Sequence, residues 1–85
     1  MDKIRNEQLR NIYNYFAFEQ SRLFSGFIES RLPGCADCLK ILQGQKLLKK
    51  TTSLGGYYYT STDIFEDRMA KELERREREN DMPTL

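Results

Sequence analysis

The sequence predicts an α+β fold, mostly α: three helices, a two-stranded β-hairpin and a C-terminal helix. Three observations predict it. Apolar residues recur at helical spacing in four stretches, the first being Leu9, Ile12, Tyr13 and Phe16 at i, i+3, i+4 and i+7. Pro33-Gly34 and Gly44 punctuate the chain where two helices should stop. From Leu47 to Ser61 the pattern changes to a lysine- and threonine-rich run, a Gly55-Gly56 turn and the triplet Tyr57-Tyr58-Tyr59, which reads as a hairpin.

The first helix follows from the Leu9–Phe16 stripe. Asn6 is a candidate cap, and Asp2 an earlier start. A second apolar set follows in Leu23, Phe24, Phe27, Ile28 and Leu32, with no proline dividing residues 7–31. Extending the first stripe puts Gln20 on the buried face, which favours a break near Glu19–Ser21. Ser21 is a suitable N-cap, and Ser25-Gly26 weakens the second segment. The reading is two helices; a single kinked helix is the alternative.

Pro33 disfavours helical geometry at Leu32, and Gly34 can take a positive φ, so the second helix ends there. A third helix is expected from about Cys35 to Gln43. Its apolar face is Cys35, Cys38, Leu39 and Leu42, and its opposite face carries Ala36, Asp37, Lys40 and Gln43. Gly44 then stands at the C′ position. Leu47-Leu48 open a strand through Lys49, Lys50 and Thr51, and Tyr57–Thr60 return. Alternation sends Tyr58 to one side and Tyr57 and Tyr59 to the other. The expected core is Tyr13, Phe16, Phe27, Leu39, Leu42, Leu48 and Tyr58.

Thr60-Ser61-Thr62-Asp63 fits a capping box just before Ile64. The final helix, DIFEDRMAKELERREREN, has Phe65, Met69 and Leu73 at four-residue intervals, with Ile64 beside them. Asp67–Lys71, Glu72–Arg76 and Glu74–Arg78 are acid-before-base pairs at i+4, each worth roughly 0.2–0.5 kcal/mol on an exposed helix. Its last turns lack apolar residues and are expected to be solvated. The organisation reads as one domain over 1–62, a C-terminal helix over 63–80 and a frayed tail over 81–85.

A chain of 85 residues has room for one domain and one small core, to which five Tyr and five Phe contribute. Its longest apolar run is a few residues, far short of a membrane span. The opening MDKIRNEQLR is charged, with no apolar stretch behind it, so no signal peptide is read and a cytoplasmic protein is expected. Net charge is +1, but it is unevenly spread. Residues 1–50 hold nine Lys/Arg against five Asp/Glu, and residues 51–85 hold five against eight. Between Cys38 and Ser61 there are four lysines and no acid, a polarity that can steer this half toward phosphates. Ordinary solvated surface charge is the plainer alternative.

Residues about 6–62 resemble the winged helix-turn-helix superfamily, in the form of the small prokaryotic and phage regulators whose C-terminal helix pairs two subunits. The resemblance rests on CLKILQGQKLLKKTTSLGGYYYTS, where Leu42, Gly44, Leu47, Leu48, Gly55, Gly56 and Tyr57–Tyr59 match the end of helix three and an aromatic wing. It implies a dimeric DNA-binding transcriptional regulator, with helix 36–43 in the major groove and wing 47–60 on the backbone. Lys40 and Gln43 are then the base-edge candidates, with Ala36 packing close. Lys46, Lys49 and Lys50 would contact phosphates, with Thr51, Thr52 and Ser53 beside them. The chain departs from the pattern in two ways: helix three has no Arg or Asn, and the wing tip Ser53-Leu54-Gly55-Gly56 has no Arg for a minor groove.

The expected partner is therefore double-stranded DNA. A narrow apolar strip on a charged helix reads as a homodimer seam through Ile64, Phe65, Met69 and Leu73. Alternatively, Phe65 and Met69 fold back onto Ile12 and Phe16 within one monomer. A second functional reading is a protein-binding winged helix, of the phage- or plasmid-type inhibitor or adaptor kind, using Tyr57, Tyr59 and the acidic C-terminal helix.

Cys35-Ala-Asp-Cys38 is a C-x-x-C at a helix start, where the helix dipole lowers a thiol pKa. The segment before it reads as helix rather than the strand of a thioredoxin-like unit. Zinc needs four ligands, which only two subunits sharing both cysteines would supply. The main reading makes both cysteines core, with redox sensing and an intermolecular metal as alternatives. The chain has no His, no P-loop and no dinucleotide fingerprint. No catalytic residue, cofactor or resident metal is therefore assigned, and no enzyme is expected.

Overall fold

The computed structural model describes residues 1–19 and 22–81. The fold is α+β and mostly helical. Helix α1 (Asn6–Asn14) runs into a π-helical turn (Tyr15–Glu19). A short strand β1 (Arg22–Phe24), a 3-10 turn (Ser25–Phe27) and one turn of helix α2 (Ile28–Arg31) follow. Helix α3 (Ala36–Gly44) leads into the hairpin β2 (Leu48–Ser53) and β3 (Gly56–Ser61), and helix α4 (Phe65–Asp81) closes the chain. The sheet is antiparallel in the order β1-β3-β2.

The three-stranded sheet corrects the expected two-stranded hairpin. The second apolar stretch is divided between β1 and α2 rather than forming one helix, because Arg22, Leu23 and Phe24 pair with Thr60, Tyr59 and Tyr58. Two helical segments do flank a break after Glu19, but a strand separates them. Gln20 and the proposed Ser21 cap lie outside the described residues, as do residues 82–85 of the expected tail; Asp81 still belongs to α4.

Register sets which tyrosine enters the core. Leu23 faces Tyr59 across β1 and β3, and both are buried. Tyr58 therefore lies on the outer face, half-buried, where the sequence reading had placed it inside. Phe27 is likewise 55% exposed, since the 3-10 turn directs it outward instead of along a helix face. The other expected core residues hold: Phe16, Leu39, Leu42 and Leu48 are buried, and Tyr13 packs against them.

Two helix ends depart from the simple rules. Gly34, at φ +73°, ends α2 as expected, its N–H donating to Glu29 Oε2 and its carbonyl accepting from Gln8 Nε2. Gly44 stays helical instead. The left-handed C′ position falls on Lys46, at φ +63°. The Lys46 N–H donates to Gln43 O and the Leu47 N–H to Leu42 O, the paired bonds of a Schellman ending. Leu47 is buried and supplies the apolar contact that goes with it. The hairpin loop is Leu54-Gly55, with Gly55 at φ +83°, while Gly56 already pairs with Ser53. A Cβ at Gly56 would stand 2.5 Å from Ser25 Oγ, so a side chain there would displace the hydroxyl that accepts from the Tyr57 N–H.

Helix α4 is not a separate unit. Phe65 and Met69 are fully buried, and Phe65 meets the Phe16 ring at 5.5 Å and the Tyr13 ring at 6.4 Å. The division at residue 62 thus falls inside one core. Farther along the same face the apolar stripe gives way to an ion pair rather than to solvent. Arg76 is buried, with Nε 2.8 Å from Glu72 Oε2 and Nη1 2.9 Å from Asn6 Oδ1. Its guanidinium also donates to the carbonyls of Ile4 and Met1. The last turns of α4 are therefore tied to the N-terminus. Asn6 serves this latch instead of capping α1, whose cap is Arg5, with its N–H donating to Gln8 Oε1.

Candidate nucleic-acid interface

Helix α3 is oriented by Cys38, Leu39 and Leu42, which are buried, while Ala36, Asp37 and Lys40 are exposed and Gln43 is half-buried. The Schellman ending turns the chain directly into β2. Thr62 fixes this junction from the far end of β3: its hydroxyl lies 2.8 Å from Lys46 O and 3.1 Å from Leu47 O, and its N–H donates to Leu47 O. The hydroxyl is thereby occupied. Thr60, from which the expected capping box runs to Asp63, belongs to β3, and α4 starts only at Phe65, so that pair does not stand at the helix start.

Between this junction and β2 lies an open groove of about 360 Å³, lined by Gln43, Lys46, Leu48, Lys49, Lys50 and Thr62. Four of the predicted DNA-contact residues are thus brought together. Lys40 is exposed one helical turn before Gln43, and Ala36 one turn earlier still. Thr51, Thr52 and Ser53 continue along β2 toward the hairpin tip, away from the groove. β2 is an edge strand, so its lysines also discourage pairing with another sheet.

Strand alternation separates Lys49 from Lys50. Lys50 sits opposite Tyr59, and its Nζ lies 4.1 Å from the centre of the Tyr57 ring. Lys49 sits opposite Thr60 on the outer face, level with Arg22. Arg22 was missed in the sequence reading. Its guanidinium carbon lies 5.3 Å from the centre of the Tyr58 ring, and only its pairing with β3 reveals that placement. Asp37 is the one carboxylate between Cys35 and Ser61.

Of the four residues expected in a dimer seam, Phe65 and Met69 are spent on the monomer's own core. Leu73 is half-buried against that core, and Ile64 is 42% exposed. A seam through Phe65 and Met69 is thereby corrected: the first turns of α4 have too few apolar residues for both roles.

Both cysteines are buried and free. Cys35 Sγ lies 3.7 Å from Pro33 O, and Cys38 Sγ 3.5 Å from Gln8 Oε1. Burial pushes the Cys35 thiol up to about 11, reinforced by Cys38 and Glu29, and burial likewise raises Cys38. Thiols so shifted are protonated near neutral pH and are weak nucleophiles. Among the described residues no three His, Cys, Asp or Glu side chains gather as a metal site. No described helix is long and apolar enough to cross a membrane. Compared with protein-family models, curated proteins and solved structures, the chain matches none.

Proposed function

We propose that this chain is a winged-helix protein that binds double-stranded DNA and regulates transcription. One observation carries the reading: Gln43, Lys46, Lys49 and Lys50 converge on one groove beside an exposed helix face. The order helix, strand, two helices, hairpin, helix, with β3 central in the sheet, supports the same reading. In it α3 enters the major groove, with Lys40 and Gln43 toward base edges and Ala36 allowing close approach. Lys46, Lys49 and Lys50 face phosphates, and Thr51–Ser53 follow the backbone. A homodimer would present two such helices, with Ile64 the most exposed apolar residue left on this end of α4.

Duplex binding measured over a range of salt tests this. Affinity should fall steeply with salt, and changing Lys49 and Lys50 together to Ala should flatten the slope by up to about two units. Unchanged affinity in that variant overturns the groove assignment. A protein-binding winged helix is the second reading, favoured by Leu54, which is fully exposed at the hairpin tip where a DNA-reading wing would carry a cation. Absence of any salt-sensitive duplex binding selects it.

A further inference from the structure

The outer face of the sheet carries a second arrangement, which meets the groove at Lys49. Residues directly opposite in antiparallel strands share a face, so the register places two rows of side chains there. One row is Phe24, Tyr58 and Thr51; the other is Arg22, Thr60 and Lys49. The rows lie roughly 7 Å apart, two residues along a strand. Phe24 and Tyr58 meet at 5.3 Å between ring centres with their planes tilted by 51°. Phe24 is 42% exposed, and Arg22 and Lys49 are exposed.

This is an unusual use of three short strands. β1 has one exposed large apolar residue, and it stands beside the outward tyrosine rather than against the core. The three strands contain Arg22, Lys49 and Lys50 and no carboxylate. An apolar protein surface would gain little from the two cations that flank the rings. A duplex keeps its bases stacked on one another and presents no ring face to a sheet. Unpaired bases do so, and aromatic platforms beside positive charge are how single strands are held.

We propose that this face binds single-stranded nucleic acid: one base stacks on Phe24, a second takes the place of the Arg22 guanidinium over the Tyr58 ring, and Arg22, so released, and Lys49 hold the adjoining phosphates. The site shares Lys49 with the duplex-binding groove, whereas Arg22, Phe24 and Tyr58 do not line that groove. Thr51 ends the aromatic row and Thr60 stands between the two cations, each with a hydroxyl for sugar or base edges. The two nucleic acids would then be held on adjoining surfaces that share Lys49.

The test is fluorescence anisotropy of labelled oligo(dT) and oligo(U) against the full chain, with tyrosine emission followed in parallel. The chain has no Trp and five Tyr, so stacking on Tyr58 reads out as the part of the tyrosine quenching that Tyr58→Thr removes. Phe24→Thr and Tyr58→Thr keep β-favouring residues in the strands and should each weaken binding about ten-fold. Phe24→Tyr should bind as the parent does. Arg22→Ala should lower the salt slope by about 0.7. Gln43→Ala should leave single-strand binding unchanged, which separates this site from the duplex reading. The proposal is overturned if the parent chain binds neither oligonucleotide at low salt, or binds without tyrosine quenching. It is equally overturned if the threonine variants, folded by circular dichroism, bind as well as the parent.

Discussion

Arg76 donates a hydrogen bond to the backbone carbonyl of Ile4, joining residues 72 positions apart in the chain. A buried guanidinium is tolerable only when its donors and charge are satisfied. Here Glu72 supplies the charge, and Met1 O, Ile4 O and Asn6 Oδ1 the remaining acceptors. Ile4 is itself 1% exposed, so the latch also holds an apolar residue in the core.

Arg76→Met should therefore cost about 3 kcal/mol, because Glu72 and three oxygens lose their donor together. Arg76→Lys should recover only part of this, since an ammonium cannot span the same acceptors. Urea unfolding measures the loss. Hydrogen exchange should show the Ile4 amide, bonded to Met1 O, losing protection first. Equal exchange at Ile4 in variant and parent would sink the latch.

Met69→Lys should unfold the monomer rather than dissociate a dimer. An unpaired ammonium at a position with no exposure costs on the order of 4 kcal/mol, much of a small domain's stability. Thermal melts with light scattering decide this. A folded Met69→Lys monomer obtained from a dimeric parent would restore the seam through Met69.

Lys46 offers a separation of stability from binding. A left-handed backbone is costly for lysine and free for glycine, so Lys46→Gly should raise stability by about 1 kcal/mol. The same change removes a groove cation and should weaken duplex binding while reducing its salt dependence. Stability and affinity moving in the same direction would contradict one of these two roles.

The cysteines predict an alkaline limit. A thiol near 9 in the unfolded chain is held at about 11 at Cys35 in the folded one. The folded state thus keeps a proton that the unfolded state releases. This contribution is complete below pH 9 and is lost as pH rises through 11, by about 3 kcal/mol in all. Tyr59, whose phenol is also raised by burial, acts with the same sign at higher pH. Urea midpoints should fall across this window, and Cys35→Ala should lessen the fall. In the native state at neutral pH, both thiols should resist a polar alkylating reagent; fast alkylation would revive the redox reading.

Glu72 sets the acid side. Its carboxyl lies below the usual range because Arg75, and then Arg76, hydrogen-bond it. The stability it contributes is present above the ordinary carboxylate pKa and lost as pH falls through the lowered value. Glu72→Gln should reduce the acid-induced loss in urea midpoints, while lowering the midpoint at pH 7.

Local features were legible in part, the Asn6 cap, the Gly44 stop and the Gly55-Gly56 turn being displaced by one or two residues. The α1 stripe, the Gly34 stop, the hairpin, and the Asp67–Lys71, Glu72–Arg76 and Glu74–Arg78 pairs all depend on neighbours a few residues away. β1 escaped because three residues within an apolar stretch carry no strand period, and their partners in β3 are more than thirty residues distant. That distant pairing also settles Tyr59 inward and Tyr58 outward. Arg76 showed only its pairing with Glu72, because the other oxygens that make its burial tolerable, those of Met1, Ile4 and Asn6, lie far away in the chain. Of the candidate interface, the lysines were visible from their acid-free run, whereas the Arg22–Phe24 side of the sheet became visible only with the register.

The end-to-end latch has a consequence for how the protein is made. Translation delivers Ile4 well before Arg76. Until the final helix has left the ribosome, the N-terminal segment has no lid and Asn6 no partner from that helix. Helix α1 must wait with its apolar face incompletely covered, because Phe65 and Met69 also arrive late. Shortening the chain before residue 76 would thus injure its beginning as much as its end, and a stalled ribosome would display a sticky nascent chain rather than a smaller folded one.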